Sequence, residues 1–501
     1  MKISNIKTLA ELKRSGYISR SIKQELRENL IKQLKNKEAG FEGIIGYEDT
    51  VIPDLQTAIL SQHNILLLGL RGQAKTRIAR LMVNLLDEYI PYVDGSELFD
   101  DPLNPISWYA RKQLEILGDD TPIAWLHRDE RYTEKLATPD VTVADLIGDV
   151  DPIKAASLKL HYSDERVIHY GLIPRAHRSI FVINELPDLQ ARIQVALFNI
   201  LQEKDIQIRG FKLRLPLDVQ FVFTANPEDY TNRGSIVTPL KDRIESQILT
   251  HYPRSVEISR KITQQEARLT PEQLVRVESD GLVKDLIEQI AFEARNSEYI
   301  DKKSGVSARL TITAYENLIS NAERRMLINN EERTFVRISD FLGVIPAITG
   351  KIELVYEGEQ EGPAKVANIL VGKAIKTLMA QYFPDPEKLK RSKGSNPYKE
   401  IIDWFGMGNS ISLVDDLSES NYSKVLEAVP GLRGVIKKIH PTLIDTQQLL
   451  LMEFLLHGLS EFSQVSKSYL DNGYEFKDMF NSLFNARFND DEDEDRDDEN
   501  R

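Results

Sequence analysis

The chain has 501 residues, a net charge of −13 and no cysteine, so disulfides and thiolate metal sites are excluded. It lacks the roughly 18-residue apolar run of a membrane-spanning helix, and its negative charge argues against a protein built mainly to hold nucleic acid. The N-terminus has no apolar secretory core. We therefore expect a cytoplasmic protein that binds neither membrane nor nucleic acid.

Apolar periodicity divides the chain into segments with different patterns. Residues 1–40 repeat leucine and isoleucine near a 3.6-residue period, which predicts an N-terminal helical segment. Residues 41–250 instead alternate helical stretches with short apolar runs, clearest at 65–68, 180–183 and 221–223. Such runs are typical of strands covered on both faces. The pattern predicts an α/β fold with a parallel sheet and crossover helices.

The second half of the chain has mainly helical patterns. Residues 255–383 predict a helical domain, and the polar run 388–398 predicts a linker to a further mostly helical segment, 398–486. Within that segment, the apolar stripe 449–456 is interpreted as core or as a face for a partner helix, with core favoured. Residues 487–501 form an acidic tail that we expect to be disordered. It would serve as a solubilising end or as a docking tail for a basic partner.

A phosphate-binding loop is predicted where the first apolar run ends, in the sequence NILLLGLRGQAKT. Gly69 and Gly72 would let backbone N–H groups face an anion at the start of a helix. Lys75 would reach the β- and γ-phosphates, and the Thr76 hydroxyl would ligate Mg²⁺. Ala74 replaces the expected second glycine and fits without strain only if its φ is negative; a plain strand–loop–helix turn is the alternative. The predicted nucleotide contacts are Gly69, Leu70, Arg71, Gly72, Gln73, Ala74, Lys75 and Thr76.

The second apolar run ends in Asn184-Glu185. Glu185 is the candidate for polarising the attacking water, unless it merely caps the following helix. Asn184 occupies a position where an aspartate usually holds Mg²⁺. Its oxygen can still contact the ion or its water, but it lacks the attracting charge. We expect nucleotide binding to survive, with weaker Mg²⁺ affinity and turnover.

Three further residues are candidates for the catalytic site. Asn226 ends the third apolar run and would lie near the γ-phosphate, unless it is a turn residue before Pro227. Arg243 could be delivered to the nucleotide of a neighbouring subunit, although pairing with Asp242 or Glu245 would explain it locally. Arg309 begins a helical stretch and could couple domain closure to the nucleotide, or simply lie near a helix start.

Several of these stretches, in this order, resemble the chelatase/MoxR branch of AAA+ ATPases. They are GIIGYEDTVIPDLQTAIL at 43–60, the loop GLRGQAKT, and residues 196–230, which contain a predicted hairpin around Gly210. The resemblance covers about residues 41–330. It implies ATP and Mg²⁺ as cofactors and a lid in the region 255–383. It also implies a ring that is a hexamer, and a partner with a von Willebrand A-type domain.

Two segments, 94–139 and 146–180, resemble the ATPase subunit of magnesium chelatase in particular. Three hypotheses follow. The chain is an ATP-driven remodeller of a protein partner, a motor subunit that serves Mg²⁺ insertion into protoporphyrin, or a nucleotide-gated scaffold with negligible turnover. The scaffold hypothesis is motivated by Asn184 and predicts that Asn184→Asp raises hydrolysis.

Overall fold

The computed structural model describes residues 6–38, 40–162, 164–203, 206–208, 211–213, 215–227, 235–391 and 396–479. Gly210 of the predicted hairpin and the predicted acidic tail 487–501 lie outside these ranges. The chain forms two compact units, Met1–Tyr252 and Pro253–Arg501.

The predicted N-terminal helical segment contains two helices, α1 (Leu9–Arg14) and α2 (Ile22–Asn36). Each begins with a capping box, in which Thr8 or Ser21 exchanges hydrogen bonds with the third helical residue. Gly16 between them has φ +74°, a left-handed conformation that ends the first helix. Leucines and isoleucines of α2 are buried in the core of the first unit, so this segment is part of that unit.

A five-stranded parallel sheet forms the centre of the first unit. Its strands are β1 (Ile65–Leu68), β4 (Tyr132–Leu136), β7 (Ser179–Asn184), β10 (Val219–Ala225) and β11 (Ser246–Leu249). They lie in the order β11-β1-β10-β7-β4. The three apolar runs singled out in the sequence are β1, β7 and β10, which are neighbours in the sheet. The predicted α/β fold class is confirmed.

Both faces of the sheet are buried, because side chains alternate between two hydrophobic cores. Leu67 and Val182 belong to the core that includes helix α2. Leu66 and Phe181 belong to the opposite core. Burial on both faces explains why these strands appear in the sequence as continuous apolar runs.

The remaining elements of the first unit surround this sheet. The helices are α3 (Val51–Leu60), α4 (Lys75–Leu81), α5 (Trp108–Leu117), α6 (Val143–Leu146), α7 (Pro152–Leu158), α8 (Leu172–Arg175), α9 (Ala191–Glu203) and a short helix, Thr238–Lys241. Three antiparallel pairs complete the described strands of this unit: β2 (Tyr89–Val93) with β3 (Ile123–His127), β5 (Gly148–Val150) with β6 (Ile168–Tyr170), and β8 (Ile206–Ile208) with β9 (Phe211–Leu213).

The second unit is mainly helical. Its helices are Val256–Glu266, Pro271–Arg276, Gly281–Asn296, Arg309–Ile328, Ile345–Thr349, Tyr356–Glu361, Pro363–Tyr382, Pro386–Arg391, Lys399–Gly406, Glu419–Glu427, Leu432–Ile439 and Asp445–Glu461. Its strands are Val277–Glu278, Thr334–Phe335, Ile411–Val414, Ser466–Leu470 and Gly473–Lys477.

One hydrophobic core extends through the second unit from Val277 to Phe476. The stripe 449–456 is fully buried on helix Asp445–Glu461, so its interpretation as core is confirmed. Tyr398, at the end of the predicted linker, is also buried, and its hydroxyl donates to the carbonyl of Pro384. The described parts of the predicted segments 255–383 and 398–486 therefore share a core, while their division into separate domains stays a prediction. In the part of the chain that the structure describes, no helix has the length and apolarity needed to cross a bilayer.

Candidate functional site

Polar side chains meet at the edge of the sheet where the central strands end. Strand β1 ends at Leu68 beside Ala225, β7 ends at Asn184, and Asn226 directly follows β10. The carboxyl edge of a parallel sheet is where open α/β folds bind their ligands. The loop Gly69–Ala74 leaves β1 at this edge and leads into α4, which begins at Lys75.

Both glycines of the loop are required by its geometry, for different reasons. A Cβ at Gly69 would lie 1.9 Å from Thr250 Oγ1 and 2.2 Å from Gln73 Oε1, so only glycine fits that close approach. Gly72 has φ +71°, in the left-handed region that favours glycine.

The loop is held by groups from outside it. Tyr47 Oη donates to the carbonyl oxygens of Gln73 (3.1 Å) and His251 (2.6 Å). Thr250 Oγ1 donates to Gln73 Oε1 at 2.6 Å, and Tyr252 Oη donates to the Arg71 carbonyl at 3.0 Å. Burial raises the pKa of Tyr47 to about 12, so its hydroxyl stays a donor at neutral pH. These contacts pre-order the loop backbone.

Ala74, the residue that replaces the second glycine, has φ +56°. The condition under which alanine would fit without strain, a negative φ, is therefore not met. A left-handed backbone costs an L-residue roughly 1–2 kcal/mol. The loop keeps this conformation because contacts on both sides of it fix the path of the chain.

Replacing Ala74 by glycine is therefore expected to raise the free energy of unfolding of the first unit by about 1 kcal/mol, after the added freedom of the unfolded chain is deducted. Urea unfolding followed by circular dichroism measures the change. As the control, Ala196→Gly in the middle of α9 should lower stability by about 1 kcal/mol. An equal decrease in the free energy of unfolding from Ala74→Gly and Ala196→Gly would contradict a strained Ala74.

Lys75, Asn226 and Glu185 form one hydrogen-bonded chain. Lys75 Nζ donates to Asn226 Oδ1 at 2.7 Å, and also to the loop carbonyls of Gly69 and Leu70. Asn226 Nδ2 donates to Glu185 Oε2 at 2.7 Å. The orientation of this amide is fixed, because an ammonium group can only donate and a carboxylate can only accept. Three predicted site residues are thus brought together.

Glu185 has φ +55°, a conformation that is costly for a non-glycine residue and is concentrated at functional sites. Its backbone N–H donates to Thr224 Oγ1 at 3.1 Å. Its side chain makes no capping hydrogen bond to the short helical turn Leu186–Asp188 that follows. The strained backbone directs the carboxylate toward Asn226 instead.

Thr76, Asn184 and Glu134 form a second chain beside the first. Thr76 Oγ1 lies 3.4 Å from Asn184 Oδ1, and Thr224 Oγ1 donates to the same oxygen at 3.1 Å. Asn184 Nδ2 donates to Glu134 Oε1 at 2.6 Å. Because Thr224 also accepts from the Glu185 backbone, it joins the two chains of hydrogen bonds.

Glu134 acts electrostatically on its other neighbours as well. Its Oε2 accepts from Arg80 Nε at 2.9 Å and from Tyr132 Oη at 3.0 Å. The hydrogen bond and charge of Glu134 raise the pKa of Arg80 above its ordinary value. Burial, with the Glu134 charge beside it, raises the pKa of Tyr132 well above its usual range.

The donor set at this edge fits a nucleotide and Mg²⁺. Three features of this edge suit phosphate groups: the close backbone approach at Gly69, the start of helix α4 and the buried Lys75. The adjacent Thr76 and Asn184 oxygens are the kind of ligand that Mg²⁺ prefers. Among the described residues, no group of three or more histidines and acids is placed to hold a metal ion.

The two predicted arginines belong to other segments of the chain. Arg243 follows the helix Thr238–Lys241 and donates to Gln202 Oε1 and to the Pro239 carbonyl, both at 2.7 Å. Glu245 accepts from the backbone N–H of Asn64 at 2.9 Å. Arg309 is the exposed first residue of a helix in the second unit, and its proposed coupling role stays a prediction.

Sequence reasoning missed Glu134 and Thr224. Thr224 carried a weak signal, since it is a polar residue within the apolar run VQFVFTAN. Glu134 carried none, because it lies in a mixed polar strand, YTEKL, whose place in the sheet the sequence does not disclose.

Part of the first unit is similar to a known protein family. Residues 161–248, which contain β7, β10, Arg243 and the first three residues of β11, match the Sigma-54 interaction domain family. NtrX from Brucella abortus is 14% identical over 58% of this chain and 55% of its own, with a TM-score of 0.33. The chain thus spans about half of the NtrX chain.

Two further solved structures are similar at the same level. A chain of the complex between subunits BchI and BchD of magnesium chelatase is 19% identical, over 64% of this chain and 98% of that one, with a TM-score of 0.34. The RuvB Holliday junction branch migration motor from Thermotoga maritima is 11% identical, over 75% and 78%, with a TM-score of 0.32. Such values transfer no role to this chain. The family match covers only part of the first unit, whose fold in the structure is a parallel α/β sheet with a glycine-containing loop after β1.

Proposed function

We propose that this chain is an ATP-driven ring ATPase that remodels a partner protein. The observation that carries the proposal is the chain of hydrogen bonds from Lys75 through Asn226 to Glu185. This chain joins the Lys75 ammonium and the Glu185 carboxylate to opposite ends of one amide at the carboxyl edge of the sheet. It supports a role for Lys75 in phosphate binding and a role for Glu185 in polarising water. A plain strand–loop–helix turn would not require a strained Glu185 or a glycine-only cradle.

Each residue has a separate task in this proposal. Lys75 neutralises charge on the β- and γ-phosphates, and the loop N–H groups orient them. Asn226 fixes the position of Glu185, whose carboxylate accepts a proton from the attacking water. Thr76 and Asn184 would hold Mg²⁺, which when bound offsets charge on the phosphate oxygens.

Assembly and partner follow from the resemblance to the chelatase/MoxR branch. That branch implies a hexameric ring and a partner with a von Willebrand A-type domain, and the composition favours action in the cytoplasm. Service as a motor subunit of magnesium chelatase rests on the likeness of segments 94–139 and 146–180 to its ATPase subunit. Partner remodelling is therefore the broader and preferred proposal.

Replacing Lys75 by alanine tests nucleotide binding directly. The substitution removes the hydrogen bonds that the charged ammonium group would donate to the phosphates of ATP. Such bonds contribute about 1.5–3 kcal/mol, so ATP affinity is expected to fall roughly 10- to 100-fold. Isothermal titration calorimetry measures the affinity, and sedimentation in the presence and absence of ATP measures assembly. The matched control is Lys35→Ala, a change at an exposed lysine on α2. Equal ATP affinity in wild type and Lys75→Ala would contradict the proposed site.

A second candidate function is a nucleotide-gated scaffold that assembles without appreciable turnover. The observation that favours it is Asn184, which offers Mg²⁺ an oxygen but no charge. The two functions differ in one measurement. A remodeller hydrolyses ATP in the presence of Mg²⁺, and Glu185→Gln lowers its rate of hydrolysis. A scaffold binds ATP and grows in mass, and its turnover is equally negligible in wild type and in Glu185→Gln.

A further inference from the structure

The amide of Asn184 has only one orientation that satisfies its neighbours. Its nitrogen faces the Glu134 carboxylate at 2.6 Å, and its oxygen faces the hydroxyls of Thr76 and Thr224. A carboxylate cannot donate a hydrogen bond, so a reversed amide would bring two acceptor oxygens together. Glu134 thus directs the Asn184 oxygen toward Thr76, the side on which an Mg²⁺ ligand is needed.

Glu134 also supplies a negative charge next to a neutral residue. Asn184 is buried, with 7% of the residue surface exposed, and interactions between charges are stronger in such surroundings than in water. The ion pair of Glu134 with Arg80 does not cancel this charge effectively, because the Arg80 side chain is 63% exposed and exposed pairs are screened by solvent.

We propose that Glu134 is a positioning residue for Mg²⁺ binding, and that Glu134 and Asn184 together replace the missing aspartate. Asn184 provides the oxygen, and Glu134 provides the charge and holds the oxygen in place. This inference rests on the proposed nucleotide site. It also changes the expectation for Asn184→Asp: the new carboxylate would lie against Glu134, so the substitution alone would not improve the site.

The test measures how strongly Mg²⁺ increases the affinity for N-methylanthraniloyl-ATP, a fluorescent ATP derivative, relative to its affinity in EDTA. In Glu134→Gln the amide oxygen can still accept from Asn184, but the charge is removed. We expect the Mg²⁺ enhancement to fall about tenfold while affinity in EDTA is retained. Glu130→Gln, at an exposed acid before the same strand, is the matched control and should leave the enhancement unchanged.

A double-mutant comparison separates positioning from general stability. Asn184→Asp alone should lower the enhancement, because two carboxylates would be in contact. Asn184→Asp combined with Glu134→Gln should restore it to the wild-type value or above, since one charge and one amide are again present. Arg80→Ala removes the ion pair but keeps the Glu134–Asn184 contact, and should preserve the enhancement within about twofold.

Several results would overturn the inference. One is an unchanged enhancement in Glu134→Gln, and another is a gain from Asn184→Asp alone. A loss in Arg80→Ala equal to that in Glu134→Gln would reduce Glu134 to a surface ion-pair partner. If wild type binds the nucleotide with no Mg²⁺ enhancement, only the metal inference fails. If wild type binds no nucleotide, the proposed function fails with it.

Discussion

Replacing Glu185 by glutamine is expected to lower the rate of ATP hydrolysis about 10²- to 10⁴-fold, the usual contribution of a positioned general base. Glutamine has nearly the same shape and can still accept the hydrogen bond from Asn226, but it cannot accept a proton from water. Nucleotide affinity should therefore change little. Phosphate release under saturating ATP and Mg²⁺ measures the rate, and calorimetry measures the affinity.

A matched control tests whether the loss is specific to the site. Glu115→Gln changes an exposed acid on α5 and should leave the rate unchanged. A Glu185→Gln protein that keeps most of the wild-type rate would remove Glu185 from the mechanism. It would also leave the left-handed backbone at this residue without a catalytic explanation.

The grouping of the central site residues could be predicted, because polar residues come directly after the ends of buried parallel strands. Lys75, Glu185 and Asn226 come shortly after three apolar runs, and parallel strands bring their carboxyl ends to one edge. The motifs at the ends of these runs therefore predicted a site there. The two asparagines required more, since their amide orientations depend on which partners can donate and which can accept.

Other features lie beyond what a single sequence discloses. Glu134 reaches Asn184 only because β4 pairs with β7 in the register that sets Leu136 beside Asn184, and no local pattern encodes that register. The positive φ of Ala74 is imposed by the anchored loop, against the preference of alanine. In the second unit, the turn-rich run 388–398 has the composition of a linker, yet Tyr398 at its end is buried in the hydrophobic core of that unit.

Replacing Arg243 by alanine is expected to lower hydrolysis about 10³-fold, because an arginine supplied to the nucleotide by a neighbouring subunit stabilises charge on the transferred phosphoryl group. The position of Arg243 suits this role. The parallel strands β11 and β1 begin side by side, with Ser246 paired to Ile65. Arg243 comes three residues before Ser246, at the amino end of β11. It therefore lies toward the opposite edge of the sheet from the phosphate loop of its own chain.

Mixing variants distinguishes a neighbour's arginine from an internal one. A subunit with Arg243→Ala keeps Glu185, and a subunit with Glu185→Gln keeps Arg243, so a mixed ring contains some sites with both groups. Hydrolysis in the mixture should exceed the sum of the separate rates. Mixing Glu185→Gln with Lys75→Ala gives the control, because each of those subunits lacks a residue of its own site, and no such gain is expected.

Lys241→Ala, an exposed change two residues before Arg243, controls for surface charge. A mixture that only adds the separate rates would place Arg243 outside the intersubunit mechanism, and would leave its hydrogen bonds to Gln202 and Pro239 as its role in the fold.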